Sequence, residues 1–236
     1  MTMDFDPILM IMQPRRIDEA INSLKENIDI PKVWFRAYTE TQVVFQMNKF
    51  IRETNYSHYI VMSDDGVVSK KAADTILKYG EMKEYEVFTG WMNMHINFNG
   101  DYSKESTICL GWIPEWKDFE GPQRDEYPEW QDMSWVNTLP SDQVIRTAMA
   151  NFAMSIAERE LFLRFPLRTH RNDRASDHHW SYRLQRAGVK VYTHPDAFIK
   201  HLRKGWSPWR HNWLVGNVEP EIRYENMKWG NREDYV

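Results

Sequence analysis

Strand-like and helix-like segments alternate along the first half of the chain, and this alternation constrains the fold more than any other feature of the sequence. Short apolar, β-branched or aromatic runs predict strands, and the segments between them carry apolar residues at helical spacing. The predicted strands are Ile8–Gln13, Lys32–Tyr38, Ser57–Ser63 and Glu86–Thr89. The predicted helices are Arg15–Asn27, Gln42–Glu53 and Ala72–Tyr79, the last of them stopped by Gly80. This order predicts an α/β fold with a mostly parallel sheet and helices on both faces.

Three polar segments are expected at one edge of this sheet. Parallel strands end at a shared edge, and ligands of such sheets bind at the carboxyl ends of the strands. The segments at that edge are Gln13-Pro14-Arg15, Tyr38-Thr39 and Asp64-Asp65. No GxGxxG motif or P-loop follows any predicted strand, which argues against the usual phosphate cradles of dinucleotide-binding and Walker-type proteins.

The acidic pair Asp64-Asp65, at the end of a buried strand, is the most distinctive of these segments. Two carboxylates there could bind Mg²⁺ or Mn²⁺ through hard oxygen ligands, together with the phosphates of a substrate. A plain turn is the alternative, because Asp-Asp-Gly is a common turn sequence. The residues alone leave both interpretations open.

The second half of the chain is less regular. Ile113–Asp132 holds seven acidic and two basic residues with three prolines, and predicts a long surface loop that is either functional or a solvated insertion. A helix is predicted over Asp177–Ala187, with Ser176 as its N-cap and Gly188 as the residue that ends it. The strand Val189–Thr193 is expected to follow.

Two further stretches are rich in one residue type. Five arginines could neutralise a diphosphate, although a solvated face is the commoner role of such a stretch. They are Arg159, Arg164, Arg168, Arg171 and Arg174. The C-terminal part, from Gly205, is expected to be an irregular extension rich in tryptophan. Its tryptophans are Trp206, Trp209, Trp213 and Trp229.

Charge and cysteine content exclude several classes of protein. Thirty basic and thirty-four acidic side chains give a net charge of −4, which argues against a general nucleic-acid binder. The single cysteine, Cys109, excludes an internal disulfide and a cysteine-based zinc or iron–sulfur site within the chain. The early apolar run Ile8–Met12 is too short for a membrane span and lacks the basic start of a signal peptide, so a cytoplasmic protein is expected.

Taken together, these features resemble the family 2 type of nucleotide-sugar glycosyltransferases, which have the GT-A fold. In that family an Asp-x-Asp signature ends a strand, and a later helix opens with ED-x-x-x-x-x-R-L-x-x-x-G. Ser176–Val191 fits the second motif with Ser in place of Glu, and Pro195 and His201 match the Pro and His that commonly follow. Ala150–Phe162 is similar to the family's small-residue strand leading into an Arg-Arg-Glu-type helix start. The resemblance covers roughly Ile8–His201, without the acidic loop.

The resemblance implies a GT-A, Rossmann-like catalytic domain over residues 1–204, followed by the extension at 205–236. Residues 1–100 would form the nucleotide-binding half, and 101–204 the acceptor-binding and catalytic half. Asp65 would be the first ligand of a divalent cation, Mn²⁺ or Mg²⁺, with Asp64 and His201, although the sequence departs from a clean Asp-x-Asp. Asp177 would be the catalytic base, which implies an inverting reaction.

The resemblance also implies two groups of substrate-binding residues. The donor side would hold Gln13, Pro14, Arg15, Tyr38 and Ser63. The acceptor side would hold Asn151, Trp116, Trp130 and Trp135, because sugar rings stack on aromatic faces. The Asp that the family often has after strand two is missing; Arg36, Tyr38 and Thr39 lie there instead and leave the donor base open.

The expected function is transfer of a sugar from a nucleotide diphosphate sugar to a hydroxyl of a glycan, lipid or protein, by a protein that could form a homodimer. A nucleotidyltransferase is an alternative, but the sequence after strand one, Gln13-Pro14-Arg15-Arg16, is not glycine-rich. A non-enzymatic carbohydrate-binding protein is a second alternative, because eleven tryptophans, eleven tyrosines and eleven phenylalanines are unusual. No nucleic-acid partner is expected.

Overall fold

The computed structural model describes residues 4–13, 17–37, 39–92, 108–109, 134–135, 143–147, 149–169, 176–202 and 221–225. In the first half, the strands are β1 (Pro7–Met12), β2 (Lys32–Arg36), β3 (His58–Ser63), β4 (Gly66–Val68), β5 (Val87–Phe88) and β6 (Trp91–Met92). The helices there are α1 (Asp18–Asn27), α2 (Glu40–Glu53) and α3 (Lys70–Gly80). Each strand and helix predicted in this half is confirmed, and β4 and β6 are additional short strands.

The second half adds seven strands and two helices among the described residues. The strands are β7 (Ile108–Cys109), β8 (Ser134–Trp135), β9 (Ile145–Thr147), β10 (Ala153–Glu158), β11 (Val191–Thr193), β12 (Phe198–His201) and β13 (Glu221–Glu225). The helices are α4 (Arg159–Arg164) and α5 (Ser176–Arg186). The predicted small-residue strand that leads into a helix is confirmed as β10 and α4. The acidic loop Ile113–Asp132 lies outside the described residues.

The main sheet has eight strands in the order β13-β2-β1-β3-β10-β5-β11-β9. β2, β1, β3, β5 and β11 run in one direction, as predicted for a mostly parallel sheet. β10 lies antiparallel between β3 and β5, because its chain enters at the carboxyl edge and runs back through the sheet. β4, β12 and β6 form a separate three-stranded sheet, and β7 pairs with β8.

One part of the C-terminal extension is regular, contrary to the expectation of an irregular segment. β13 pairs antiparallel with β2 and forms the edge of the main sheet. An outer strand without a neighbour would leave a row of backbone groups unpaired, and β13 supplies their partners. The four tryptophans of the extension lie outside the described residues, and the division at residue 204 stays a prediction.

Helices cover both faces of the main sheet, and this explains the continuous apolar runs in its strands. Ile8, Met10 and Met12 of β1 face the core shared with α2, α4 and α5. Leu9 and Ile11 face the core shared with α1 and α3. No helix in the described part of the chain is both long and apolar enough to span a membrane.

The ends of α2 are held by side chains from other parts of the chain and by its own cap. Thr39 and Gln42 form a capping box at the N-terminus. At the C-terminus, the Arg159 guanidinium donates to the carbonyls of Ile51, Arg52 and Thr54 at 2.9–3.2 Å. Arg159 therefore satisfies helix carbonyls and does not belong to a diphosphate site at the carboxyl edge.

Two glycines that were expected to end helices do so for different reasons. Gly188 has φ +75°, and the amides of Gly188 and Val189 donate to the carbonyls of Gln185 and Leu184, which is the Schellman arrangement. Gly80 is instead the last residue of α3. A Cβ at Gly80 would lie 2.5 Å from Cγ2 of Ile156 in β10, so the glycine allows close packing of α3 on the sheet.

We expect Gly188→Ala to lower the free energy of unfolding by about 1 kcal/mol, because left-handed backbone is unfavourable for a residue with a Cβ. No atom lies within 4 Å of the added Cβ, so the cost is conformational and not steric. Urea unfolding measures it. Gly188→Asn is the control and should retain more stability, because asparagine tolerates this conformation. An alanine variant as stable as the original protein would contradict this account.

We also expect His58 to make stability pH-dependent. Burial lowers the pKa of His58 below its ordinary value of 6.5, against the opposing effect of Glu158 and Glu81. The unfolded chain therefore binds the proton first, and the free energy of unfolding falls as pH drops from 6.5 through the folded pKa. Urea unfolding between about pH 5 and pH 8 should show a smaller fall in His58→Gln. Equal falls in both proteins would show that His58 does not contribute.

Candidate functional site

A tight turn after β3 places an acidic pair at the carboxyl edge of the main sheet. Asp64 and Asp65 form this turn, and the chain continues directly into β4. β4 pairs antiparallel with β12, and in this register Gly66 lies opposite His201. The pairing brings two predicted metal ligands together although they lie 136 positions apart in the sequence.

The Asp65 side chain is held on both of its oxygens. Oδ2 lies 2.8 Å from Nε2 of His201, and Oδ1 accepts a hydrogen bond from the Ser63 hydroxyl. The Leu202 N–H donates to the Asp65 carbonyl at 2.8 Å and fixes the main chain as well. The Asp65 side chain is 4% exposed and that of His201 16%, so the pair lies at the border of the interior. The Asp64 side chain is completely buried in the same turn.

Gly66 is needed for this arrangement because β12 packs closely on it. A Cβ at Gly66 would lie 2.7 Å from both Cγ2 of Ile199 and Cε of Met62. A plain turn and a metal site were the alternatives at the level of sequence, and the structure shows the turn. Asp64-Asp65 makes a turn, and that turn directs the second carboxylate towards His201.

The contact between Asp65 and His201 has the length of a hydrogen bond, and it can also be compared with the spacing of two ligands on one cation. Octahedral Mg²⁺ binds its ligands at about 2.0–2.1 Å, so two neighbouring ligands lie roughly 3 Å apart. The 2.8 Å between Asp65 Oδ2 and His201 Nε2 is close to that separation. Within the described ranges no group of three or more His, Cys, Asp or Glu side chains is placed to hold a metal. A cation here would need water or substrate phosphates to complete its shell.

A bulge in β10 shapes the rim beside the acidic turn. The register with β3 shifts between Ala153 and Ser155, and Met154 has φ +65°, which is rare for a residue with a Cβ. Such strained positions are found at functional sites more often than elsewhere. The Phe152 carbonyl accepts from the Ser63 N–H at 2.9 Å, so this segment contacts the end of β3.

Buried polar side chains hold this bulge. Asn151 Oδ1 accepts from the Ala153 N–H at 3.0 Å and from the Thr89 hydroxyl at 3.3 Å. The hydroxyls of Thr89 and Ser155 lie 2.7 Å apart. Asn151, predicted to bind the acceptor, is 5% exposed, and its carboxamide oxygen takes part in holding the rim.

Asp177 lies in the first turn of α5 and is partly exposed. Its Oδ1 accepts from the His178 N–H at 2.8 Å. One turn later, the Ser181 hydroxyl accepts from the Ala150 N–H at 2.9 Å and donates to the Asp177 carbonyl at 2.7 Å. Ala150 directly precedes Asn151. Through Ser181, α5 therefore contacts the segment before β10, which also contacts the end of β3.

The start of α5 differs from the prediction. Ser176 is the first helical residue and not the N-cap, and its backbone N–H donates to Oε1 of Glu40 at 2.8 Å. The Ser176 hydroxyl donates to the same oxygen. Sequence reasoning missed Glu40. Two signals could have found it. One is the acidic residue in the first turn after predicted strand two, and the other is Ser in place of Glu in the α5 motif.

The segment Phe165–Thr169 ties α5 to α2. The Trp180 indole donates to the Phe165 carbonyl at 2.9 Å, and the Arg183 guanidinium donates to the Pro166 carbonyl at 2.5 Å. Asn48 of α2 exchanges two hydrogen bonds with the backbone of Leu167. Burial and the charge of Arg168 lower the pKa of Arg183. The hydrogen bond to Pro166 shows that Arg183 helps to hold α5 on this segment.

The donor-side candidates are described only in part. The Gln13 side chain is completely buried, and its Oε1 accepts from Nη2 of Arg36 at 2.8 Å. Ser63 is the residue that holds Asp65. The other candidates on either side lie outside the described residues, or in strand β8 where only the backbone is described. These are Pro14, Arg15, Tyr38, Trp116, Trp130 and Trp135.

Comparisons with known proteins give matches among solved structures but none among family models. No family model matches the chain, and no curated protein matches it. One solved structure that the chain matches is GalNAc-T7 with UDP, GalNAc and Mn²⁺, at TM-score 0.48 and 10% identity, over 87% of this chain and 46% of that one. Another is A197 from STIV, at TM-score 0.46 and 12% identity, over 87% and 98%. The chain thus spans less than half the length of the GalNAc-T7 chain.

Proposed function

We propose that this chain is a metal-dependent glycosyltransferase, which moves a sugar from a nucleotide diphosphate sugar to a hydroxyl of a glycan, lipid or protein. The observation that carries the proposal is the contact between Asp65 and His201 at the carboxyl edge of the sheet. Ligands of open α/β sheets bind at this edge. Ser181, one turn after Asp177 in α5, accepts a hydrogen bond from Ala150 beside the rim of that edge.

Asp65 and His201 are the residues that we assign to a bound Mn²⁺ or Mg²⁺. Asp64, predicted as a further ligand, is completely buried in the same turn and does not form a three-ligand group with them. The ion would supply positive charge that stabilises the departing diphosphate. The chain contributes rigidity, because the Ser63 hydroxyl and the Leu202 N–H hold Asp65 before any ligand arrives. Ligands held in place beforehand lower the cost of binding and orienting the substrate.

Asp177 is the residue that we assign as general base. The acceptor oxygen forms a bond to the anomeric carbon of the donor while the bond from that carbon to the diphosphate breaks. The hydroxyl proton passes to Asp177, and attack opposite the leaving group inverts the anomeric centre. The His178 N–H occupies Oδ1, so Oδ2 is the oxygen that we assign to the proton.

The substrate-binding roles remain part of this proposal. Gln13, Pro14, Arg15, Tyr38 and Ser63 are assigned to the donor side. Asn151, Trp116, Trp130 and Trp135 are assigned to the acceptor side. Asn151 would act there through the backbone that its carboxamide holds.

We expect Asp65→Asn to abolish metal-dependent binding of a nucleoside diphosphate. For the original protein, a ligand at 100 times its Kd stabilises the fold by about 2.7 kcal/mol, and the unfolding midpoint should rise only when metal and nucleotide are both present. Thermal unfolding of both proteins with a panel of nucleoside diphosphates and triphosphates, with and without Mn²⁺, measures this.

The control for this experiment is Asp74→Asn on the exposed face of α3, which should bind as the original protein does. An unchanged metal-dependent shift in Asp65→Asn would contradict the metal assignment. A shift with nucleoside triphosphates alone, and release of pyrophosphate, would favour a nucleotidyltransferase instead.

We expect Asp177→Asn to lower kcat by roughly 10²–10⁴-fold while donor affinity stays the same, because a general base acts in the transition state. Transfer rates and donor titrations give the two quantities separately. Asp29→Asn, an exposed position after α1, is the matched control and should change neither. If kcat and donor affinity fall together in Asp177→Asn, Asp177 does not act as the base.

A further inference from the structure

We infer that Glu40 positions Asp177, and this inference rests on the function proposed above. Glu40 is the first residue of α2, immediately after the helix cap Thr39. Its Oε1 accepts hydrogen bonds from both the backbone N–H and the hydroxyl of Ser176, the residue before Asp177. The contact joins positions that lie 136 residues apart in the sequence.

The chemistry of a helix start explains why a carboxylate is effective here. The first N–H groups of a helix have no partner within the helix, and negative charge is favoured at that end. Hydrogen bonds to an ionised acceptor are stronger than bonds between neutral groups. α5 begins with a serine, so α2 supplies the carboxylate that holds its first turn.

A second contact joins the first turn of α2 to Thr169, which comes before α5 in the chain. Next to Glu40, the Thr41 hydroxyl lies 2.8 Å from the Thr169 hydroxyl. Thr169 and Ser176 flank residues 170–175, which lie outside the described ranges. The chain therefore contacts the start of α2 both before and after that gap.

The rest of α5 has anchors of its own. Trp180 and Arg183 bind the segment Phe165–Thr169, and Gly188 closes the C-terminus. Loss of the Glu40 carboxylate should therefore loosen the first turn and leave the body of the helix in place. A displacement of about 1 Å can lower a rate by roughly 10²-fold, so a loosened first turn should be visible in kcat.

Three variants test this inference, because they remove the acceptor oxygens of Glu40, remove only its charge, or place the change elsewhere on α2. Glu40→Ala removes the acceptor, Glu40→Gln keeps an acceptor oxygen, and Glu53→Ala at the exposed far end of α2 is the matched control. Glu40→Ala is also combined with Asp177→Asn. Hydrogen exchange at the amides of Ser176, Trp180 and Ser181, with α3 as an internal reference, reports the first turn without requiring activity. The Ser176 N–H donates to Glu40, and in a helix the other two donate to the carbonyls of the first turn.

We expect Glu40→Ala to speed exchange at these three amides by about 10-fold and to lower kcat by roughly 10–100-fold, with the donor KM within about twofold. Glu40→Gln keeps an acceptor oxygen without the charge and should recover part of kcat, and Glu53→Ala should match the original protein. In the Asp177→Asn background, Glu40→Ala should lower kcat no further, because it acts through Asp177.

Three results would overturn the inference: unchanged exchange at the amides of Ser176, Trp180 and Ser181, an unchanged kcat in Glu40→Ala, or equal losses with and without Asp177. Hydrogen exchange tests whether Glu40 holds the first turn of α5 even if the original protein transfers no sugar. That inactivity would contradict the proposed function and is distinguishable from an active enzyme that tolerates Glu40→Ala.

Discussion

The pairing of β4 with β12 is the interaction on which the proposed site depends. The turn Asp64-Asp65 comes from the first half of the chain and His201 from the second, and only this antiparallel register places them side by side. The register in turn requires Gly66, because Ile199 and Met62 leave no room for a Cβ. The geometry of the pair is thus set by backbone hydrogen bonds and packing, and a ligand would meet an arrangement that is already formed.

The rim between Asp65 and Asp177 is built from buried polar groups. Asn151, Thr89 and Ser155 hold the bulge of β10 at the unfavourable φ of Met154, and Ala150 receives the start of α5. Buried polar clusters are stable only when their hydrogen bonds are made, so they specify one arrangement of the chain. The segment at the start of β10 contacts the end of β3 through Phe152 and α5 through Ala150.

The sequence predicts those parts of the fold that depend on local periodicity. The early strands and helices follow from apolar spacing, and the left-handed Gly188 follows from its position after an amphipathic helix. Contacts between distant segments leave no such pattern. The antiparallel β10, the edge strand β13 and the carboxylate of Glu40 at the start of α5 depend on which segments meet in space. The juxtaposition of Asp65 and His201 was implied by a resemblance, and their role as metal ligands stays a prediction.

The most direct test of the proposed metal site is pulsed electron paramagnetic resonance of Mn²⁺ bound to the protein with a nucleoside diphosphate. If Asp65 and His201 hold the ion, the spectrum should show coupling to an imidazole nitrogen and to phosphorus of the nucleotide. The nitrogen coupling should disappear in His201→Gln. Bound Mn²⁺ without a nitrogen coupling, or with one that survives in His201→Gln, would contradict the central claim.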